Sequence, residues 1–228
     1  MKKIVIFGTG DVAELAHFYM THDSERRIAA FCADGDQIQS KAFCGLPVVP
    51  FENVQKEFPA DRFDLFIALS YNKLNETRAR KYTEAKAKGY TLASYVSTRS
   101  VTWPDLTIGD NCFIMENQTI QPFVKIGNNV TLWSGNHVGH GAVIDDHVFV
   151  TSHVVISGHV KVGAFSFLGV NCTLKDGITL APKTVVGAGA TVLSNTQENG
   201  VYTGPKAELR ARDASRIRYF THTKYTER

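Results

Sequence analysis

The 228-residue chain has no apolar run approaching the 18 residues that a membrane-spanning helix needs, which excludes a helical span. Its four cysteines, Cys32, Cys44, Cys112 and Cys172, are widely spaced and form no CxxC, so neither a disulfide framework nor a cysteine-based zinc ribbon is expected. A net charge of only +3, with no long basic block, argues against a nucleic-acid partner. The most charged stretch is the tail, with seven Lys/Arg and three Asp/Glu from Lys206 to Arg228. The opening MKKIVIFGTG holds too short an apolar run for a signal-peptide core and passes straight into glycines. Together these absences lead us to expect a cytoplasmic protein in a reducing compartment.

What is present is a rhythm. Stepping by six from Ile108 reaches Ile114, Ile120, Ile126, Leu132, Val138, Ile144, Val150, Ile156, Val162, Leu168, Leu174, Leu180, Val186 and Val192. Fifteen consecutive positions are Ile, Leu or Val, although these types make up roughly a fifth of an average chain. Neither a helix nor a simple strand has that period. The residue two before is usually small or aliphatic, as at Val124, Val130, Ala142, Val148 and Cys172. Such hexads are the signature of a parallel β-helix in which three hexads close one triangular coil, so fifteen make about five coils. One coil cannot bury its own aliphatic face, so neighbours must stack. Cys112 and Cys172 fall in inward slots and read as small core residues.

The same region is rich in histidine: His137, His140, His147, His153 and His159. The last three are six apart, which puts them on three different sides of a three-sided prism. They therefore do not form one intrachain metal site, no metal is expected, and they read as surface or subunit-interface residues. His137 and His140 are three apart and near one corner.

Before the hexads, Lys3–Phe7, Ile28–Cys32, Asp64–Leu69 and Thr91–Val96 read as strands, alternating with helices near 11–20, 52–58 and 73–88. That alternation implies a parallel sheet covered on both faces. Gly8-Thr9-Gly10, followed by Ala13, fits a phosphate-binding turn at a helix N-terminus. Asp34, at the end of the second strand, is placed for a ribose or base, and Asn72 follows a strand at the ligand side of the sheet. Trp103-Pro104 marks the expected boundary, giving an α/β unit over 1–100, a β-helix over 104–205 and a helical tail over 206–228.

A small Rossmann-like unit joined to unbroken hexads resembles the sialic-acid O-acetyltransferase and bacterial nucleotide-aminosugar N-acetyltransferase family. The residues that carry the resemblance are Gly8-Thr9-Gly10, the hexads, His140-Gly-Ala-Val-Ile144-Asp-Asp-His147-Val148, Gly187-Ala188-Gly189-Ala190 and Gly204-Pro205-Lys206-Ala207. The resemblance implies a left-handed β-helix and a homotrimer with sites between subunits. It also implies acetyl-CoA in the groove between prisms and a nucleotide-linked amino sugar held by the N-terminal unit. The family's base falls on His140. The acidic residue that commonly follows it is Gly141 here, so another carboxylate, from another coil or subunit, such as Glu116 or Asp146, orients His140 or none does.

Acetyl transfer to an amine needs a proton acceptor as nitrogen attacks the thioester, and an imidazole with the ordinary pKa of about 6.5 suits that role. His140 is the first candidate and His137 the second. Gly158, eighteen residues after His140, should stack one coil above it and contact the thioester. Gly169, Ala188 and Lys206 complete the expected acetyl-CoA contacts, Lys206 facing the phosphates. Gly8, Gly10, Asp34 and Asn72 are the expected nucleotide contacts. With no cysteine near His140, direct attack by the amine is expected, in the service of bacterial surface-glycan (lipopolysaccharide or O-antigen) synthesis. The alternatives are O-acetylation of a sugar hydroxyl, a non-catalytic scaffold that binds nucleotide sugars, and a nicotinamide oxidoreductase.

Overall fold

The computed structural model describes residues 2–207. The tail expected to be helical over 206–228 thus lies outside the described residues, apart from Lys206 and Ala207.

The N-terminal unit runs β1 (Lys3–Phe7), α1 (Asp11–His22), β2 (Ile28–Ala33), β3 (Ala42–Phe43), β4 (Leu46–Pro50), α2 (Val54–Glu57), β5 (Phe63–Ile67) and α3 (Glu76–Ala87). The sheet order is β3-β4-β2-β1-β5. All neighbours are parallel except the β3–β4 hairpin. The strand KIVIF is buried at four successive residues, as a strand covered on both faces must be. Helix α3 begins at Glu76 rather than Lys73, because Lys73, Leu74 and Asn75 hold φ of 49°, 50° and 67°. Three left-handed residues in a row cannot belong to a right-handed helix.

The strand expected over Thr91–Val96 is divided. Leu92 bridges Leu65 in the first sheet, whereas Tyr95–Val96 pairs with Phe113–Ile114. Val96 stands eighteen residues before Ile114 and so already keeps the hexad register. The β-helix ladder therefore starts ahead of Trp103-Pro104. Thr102, in an aliphatic slot, masks that start in the sequence.

The β-helix has three faces. Face A stacks Thr107–Ile108, Lys125–Ile126, Val143–Ile144, Lys161–Val162 and Thr179–Leu180. Face B stacks Tyr95–Val96, Phe113–Ile114, Thr131–Leu132, Phe149–Val150, Phe167–Leu168, Val185–Val186 and Val201–Tyr202. Face C stacks Thr119–Ile120, His137–Val138, Val155–Ile156, Thr173–Leu174 and Thr191–Val192. The second residue of each pair points inward. From Ile114 to Val192 these aliphatic residues, with Cys112, Cys172 and the small residues two before, form one continuous core. Burying each such Val, Leu or Ile is worth about 1.5–3 kcal/mol, which is why the coils must stack to be stable.

The corners explain the histidine spacing. Left-handed backbone recurs every six residues, at Asn111, Asn117, Phe123, Asn129, Gly135, Gly141, His147, His153, His159, Phe165, Asn171, Gly177, Lys183 and Gly189. Asn, Gly and His tolerate that conformation better than most residues. His147, His153 and His159 are corner residues with φ of 64°, 58° and 55°, one on each of the three corners.

Face B alone is covered by the N-terminal unit. Its outward residues Phe113, Thr131 and Phe149 are buried. Tyr71 packs on Phe149 and Phe167 at 5.1 and 4.8 Å, and Phe66 meets Phe113 edge-on. Arg78 of α3, fully buried, donates to Thr131 Oγ1, Asn75 Oδ1 and the carbonyls of His147 and Val148. No carboxylate among the described residues pairs with it, and burial lowers its pKa. His147, expected at a surface or subunit contact, instead lies in this seam, edge-on to Tyr82 and hydrogen-bonded to Asn129. Burial lowers its pKa, with Asp146 opposing. Faces A and C present exposed Lys125, Lys161, Thr119 and Val155 to their surroundings.

Candidate active site

His140 stands at the corner between faces C and A, with an exposed side chain. Its backbone N–H donates to Gln121 Oε1 at 2.8 Å, and its Nδ1 lies 3.2 Å from the same oxygen. His159, one coil further along the same corner, sits edge-on to it with ring centroids 4.7 Å apart. Gly158 lies between coils. A β-carbon there would stand 2.6 Å from His140 Cε1 and 2.8 Å from Asp176 Oδ1. Below it, a β-carbon on Gly139 would be 2.5 Å from Gly158 N. Two consecutive glycines in the stack thus leave an imidazole beside bare backbone, an arrangement in which an acyl group can approach both.

Gly141 also has a steric cause. It holds φ +64°, and a β-carbon on it would lie 2.6 Å from His159 Nδ1. The space a carboxylate would take is filled by the His159 ring. Within one chain neither Glu116 nor Asp146 hydrogen-bonds His140. Glu116 accepts from Tyr19 Oη at 2.6 Å and Ser134 Oγ at 2.8 Å. Burial works against ionisation there, but these hydrogen bonds hold its pKa below the usual value. Asp146 accepts from Asn128 N at 2.7 Å, at a different corner. Among the described residues His140 hydrogen-bonds no carboxylate; Gln121 takes that place.

His137 is half-buried on face C, between Thr119 and Val155. His153 occupies the opposite corner of that face, where its Nδ1 fills the site of a Gly135 β-carbon. Within one chain the four residues expected at the coenzyme lie at separate places. Gly158 shares the corner of His140, whereas Gly169 and Ala188 stack on the corner between faces B and C, a Gly169 β-carbon falling 2.6 Å from Ala188 N. Lys206 is exposed just past Gly204, which packs on the Ala190 backbone. Face C lies between the two groups.

The N-terminal unit carries a second site, a cleft of about 710 Å³. Gly8, Gly10 and Asp34 line it, joined by Thr77, Arg80 and Lys81 of α3. The two glycines differ in purpose. Gly8, at φ +121°, lets the backbone pass Ala68, whose carbonyl oxygen would be 2.8 Å from a β-carbon. A β-carbon on Gly10 would meet no described residue within 4 Å, and Gly10 caps α1 without a side chain, so the helix N-terminus opens on the cleft. Lys81, almost buried, bonds Asp34 Oδ1 at 2.6 Å and Glu84 at 2.7 Å. Burial pulls its pKa down, but these two carboxylates outweigh it and raise it. A helix N-terminus facing Arg80 and Lys81 suits an anionic phosphate group. Asn72 is exposed and outside the residues lining the cleft, and Asn75, not Asn72, stands at the N-cap of α3. The α3 cations were not read from the sequence. Their signal was the basic run Arg78-Ala-Arg80-Lys81, which on a helix reads equally as a solvated face.

Comparison with known proteins places these features in a class. Residues 105–136 and 123–158, within the β-helix, match the bacterial transferase hexapeptide (six repeats) family. A histidine-to-asparagine mutant of perosamine N-acetyltransferase from Caulobacter crescentus, in complex with CoA and GDP-perosamine, shares the fold at TM-score 0.81 and 23% identity, over 90% of this chain and 94% of that one. The acetyltransferase domain of PglB from Neisseria gonorrhoeae in complex with acetyl coenzyme A follows at 0.79 and 19%, over 89% and 96%. WeeI from Acinetobacter baumannii matches at 0.72 and 18%, over 90% and 97%. The fold is therefore theirs, an α/β unit followed by a left-handed parallel β-helix.

Proposed function

We propose that this chain is an acetyl-CoA-dependent N-acetyltransferase acting on a nucleotide-linked amino sugar, with His140 as general base. The observation that carries this reading is the exposed His140 ring set against the bare backbone of Gly158, in a chain that separately holds a cleft lined by Gly8, Gly10, Asp34 and Arg80 in its α/β unit. The cleft suits the diphosphate of a nucleotide sugar, with Asp34 for its ribose. The histidine corner suits the acceptor and the thioester. The similar protein from Caulobacter was captured with CoA and GDP-perosamine, the two kinds of ligand this division of labour requires.

In the reaction the neutral sugar amine attacks the thioester carbonyl carbon. His140 Nε2 accepts the proton that the nitrogen sheds, and a backbone N–H near Gly158 faces the developing oxyanion. The C–S bond then breaks, and the coenzyme leaves as its thiol by taking up that proton. We place the site between subunits of a homotrimer, since no described residue outside the β-helix covers faces A and C and the cleft of the α/β unit, which packs on face B, lies away from the His140 corner in one chain. We further assign the reaction to cytoplasmic synthesis of surface-glycan precursors.

The test is thiol release from acetyl-CoA over a panel of nucleotide-linked amino sugars. Turnover on one of them supports the reading. Turnover only on hydroxyl acceptors turns it into an O-acetyltransferase, and none on either makes the chain a binding scaffold.

A further inference from the structure

We propose that Gln121 is the positioning residue for His140, holding it in the tautomer that carries its proton on Nδ1. The amide orientation is fixed by the backbone. The His140 main-chain N–H is a donor, so the Gln121 atom 2.8 Å from it is the carbonyl oxygen Oε1. That same oxygen stands 3.2 Å from Nδ1, and two acceptors do not bond one another, so Nδ1 must carry the proton. Nε2 is left unprotonated and is the atom free to accept a proton. The other groups facing His140 do not compete for Nδ1. His159 meets the ring edge-on, and Asp176, whose Oδ1 lies 2.8 Å from where a Gly158 β-carbon would stand, makes no hydrogen bond to His140.

Gln121 therefore does by neutral hydrogen bonding what a carboxylate beside the histidine would do by charge. The cause is local: His159 occupies the room at Gly141. A neutral orienter fixes the tautomer without the added attraction that a carboxylate gives to the protonated imidazole. That suits an acceptor amine, which is itself a strong nucleophile once neutral. This role rests on His140 being the base.

The experiment reads the tautomer without substrate and turnover separately. Full-length protein labelled with 15N-histidine gives imidazole nitrogen–proton correlations, and His140 is assigned by the signals missing from His140→Ala. We expect the wild type to show the proton on Nδ1, and Gln121→Ala to lose that preference while staying folded. The near-isosteric Gln121→Glu should keep the proton on Nδ1 and move the acid limb of the turnover profile up by about one pH unit. Gln121→Ala should lower kcat about tenfold with KM for acetyl-CoA unchanged. A proton on Nε2 in the wild type, or an unchanged tautomer in Gln121→Ala, would overturn the positioning role. Full turnover by His140→Ala would overturn the base role instead, whatever the tautomer shows.

Discussion

The Cα of Gly158 lies against the His140 ring so closely that a β-carbon would stand 2.6 Å from Cε1. Coil stacking brings together two residues eighteen apart and sets the geometry of the histidine corner. Gly158→Ala should therefore displace an exposed ring rather than break the core. Activity is expected to fall about a hundredfold, while stability changes by within about 1 kcal/mol. Paired measurements of kcat/KM and Tm check this. An equal loss of both would mean that Gly158 serves the coil and not the site.

Gly141 and His159 compete for one space. Gly141→Asp alone should lower Tm by several degrees, because its β-carbon would fall 2.6 Å from His159 Nδ1. Adding His159→Gly should restore the part of that loss due to the clash, the strain of a side chain at φ +64° remaining, and thermal unfolding of the two single variants and the double variant measures the coupling. Additive effects would show that the His159 ring is not the obstacle.

In the cleft, Lys81 holds Asp34 Oδ1 and leaves Oδ2 without a protein partner among the described residues. Asp34→Asn should raise KM for the nucleotide sugar about tenfold and leave KM for acetyl-CoA unchanged. Steady-state kinetics with each substrate varied in turn separate the two. A rise in the acetyl-CoA constant would place the cleft at the wrong substrate.

Asp23 ends α1 and ties it to the start of the β-helix. It accepts from Thr98 Oγ1 and N, Tyr95 Oη and Ser97 Oγ. The Thr98 and Tyr95 hydrogen bonds lead in holding its pKa far below the ordinary 3.8. A depressed carboxyl pKa contributes stability that is present above that ordinary value and fades as pH falls below it. Asp23→Asn should therefore cost about 1–2 kcal/mol at neutral pH, modest because the group is partly solvated. It should also flatten the loss of stability below about pH 4, which urea unfolding at a series of pH values follows. A variant as acid-sensitive as the wild type would remove Asp23 from that role.

The solenoid was legible because each hexad writes its own strand and corner locally, as the unbroken series from Ile108 to Val192 shows. Its first strand was not, because Thr102 interrupts the series after Val96. Stacking by eighteen placed Gly158 over His140, and the structure has it there. The same stacking applied downward from His140 reaches Gln121-Pro122, but the sequence pattern held no reason to prefer an amide over a carboxylate. His147, read as a surface or subunit-interface residue, lies in the seam instead, because the docking of α3 on face B leaves no local trace in the sequence. Arg78 and Tyr82, which make that seam, look like an ordinary basic helix face. Asn72 followed a correct strand, yet three left-handed residues turn the chain before α3 and leave it outside the cleft lining.

The most direct test of the whole reading is transfer of acetyl from acetyl-CoA to nucleotide-linked amino sugars by the wild type and by His140→Ala. We expect turnover on at least one amino sugar, and a loss of about a hundredfold or more in the variant with binding of both substrates retained. Wild-type turnover that His140→Ala leaves intact would contradict the assignment of His140 as the base.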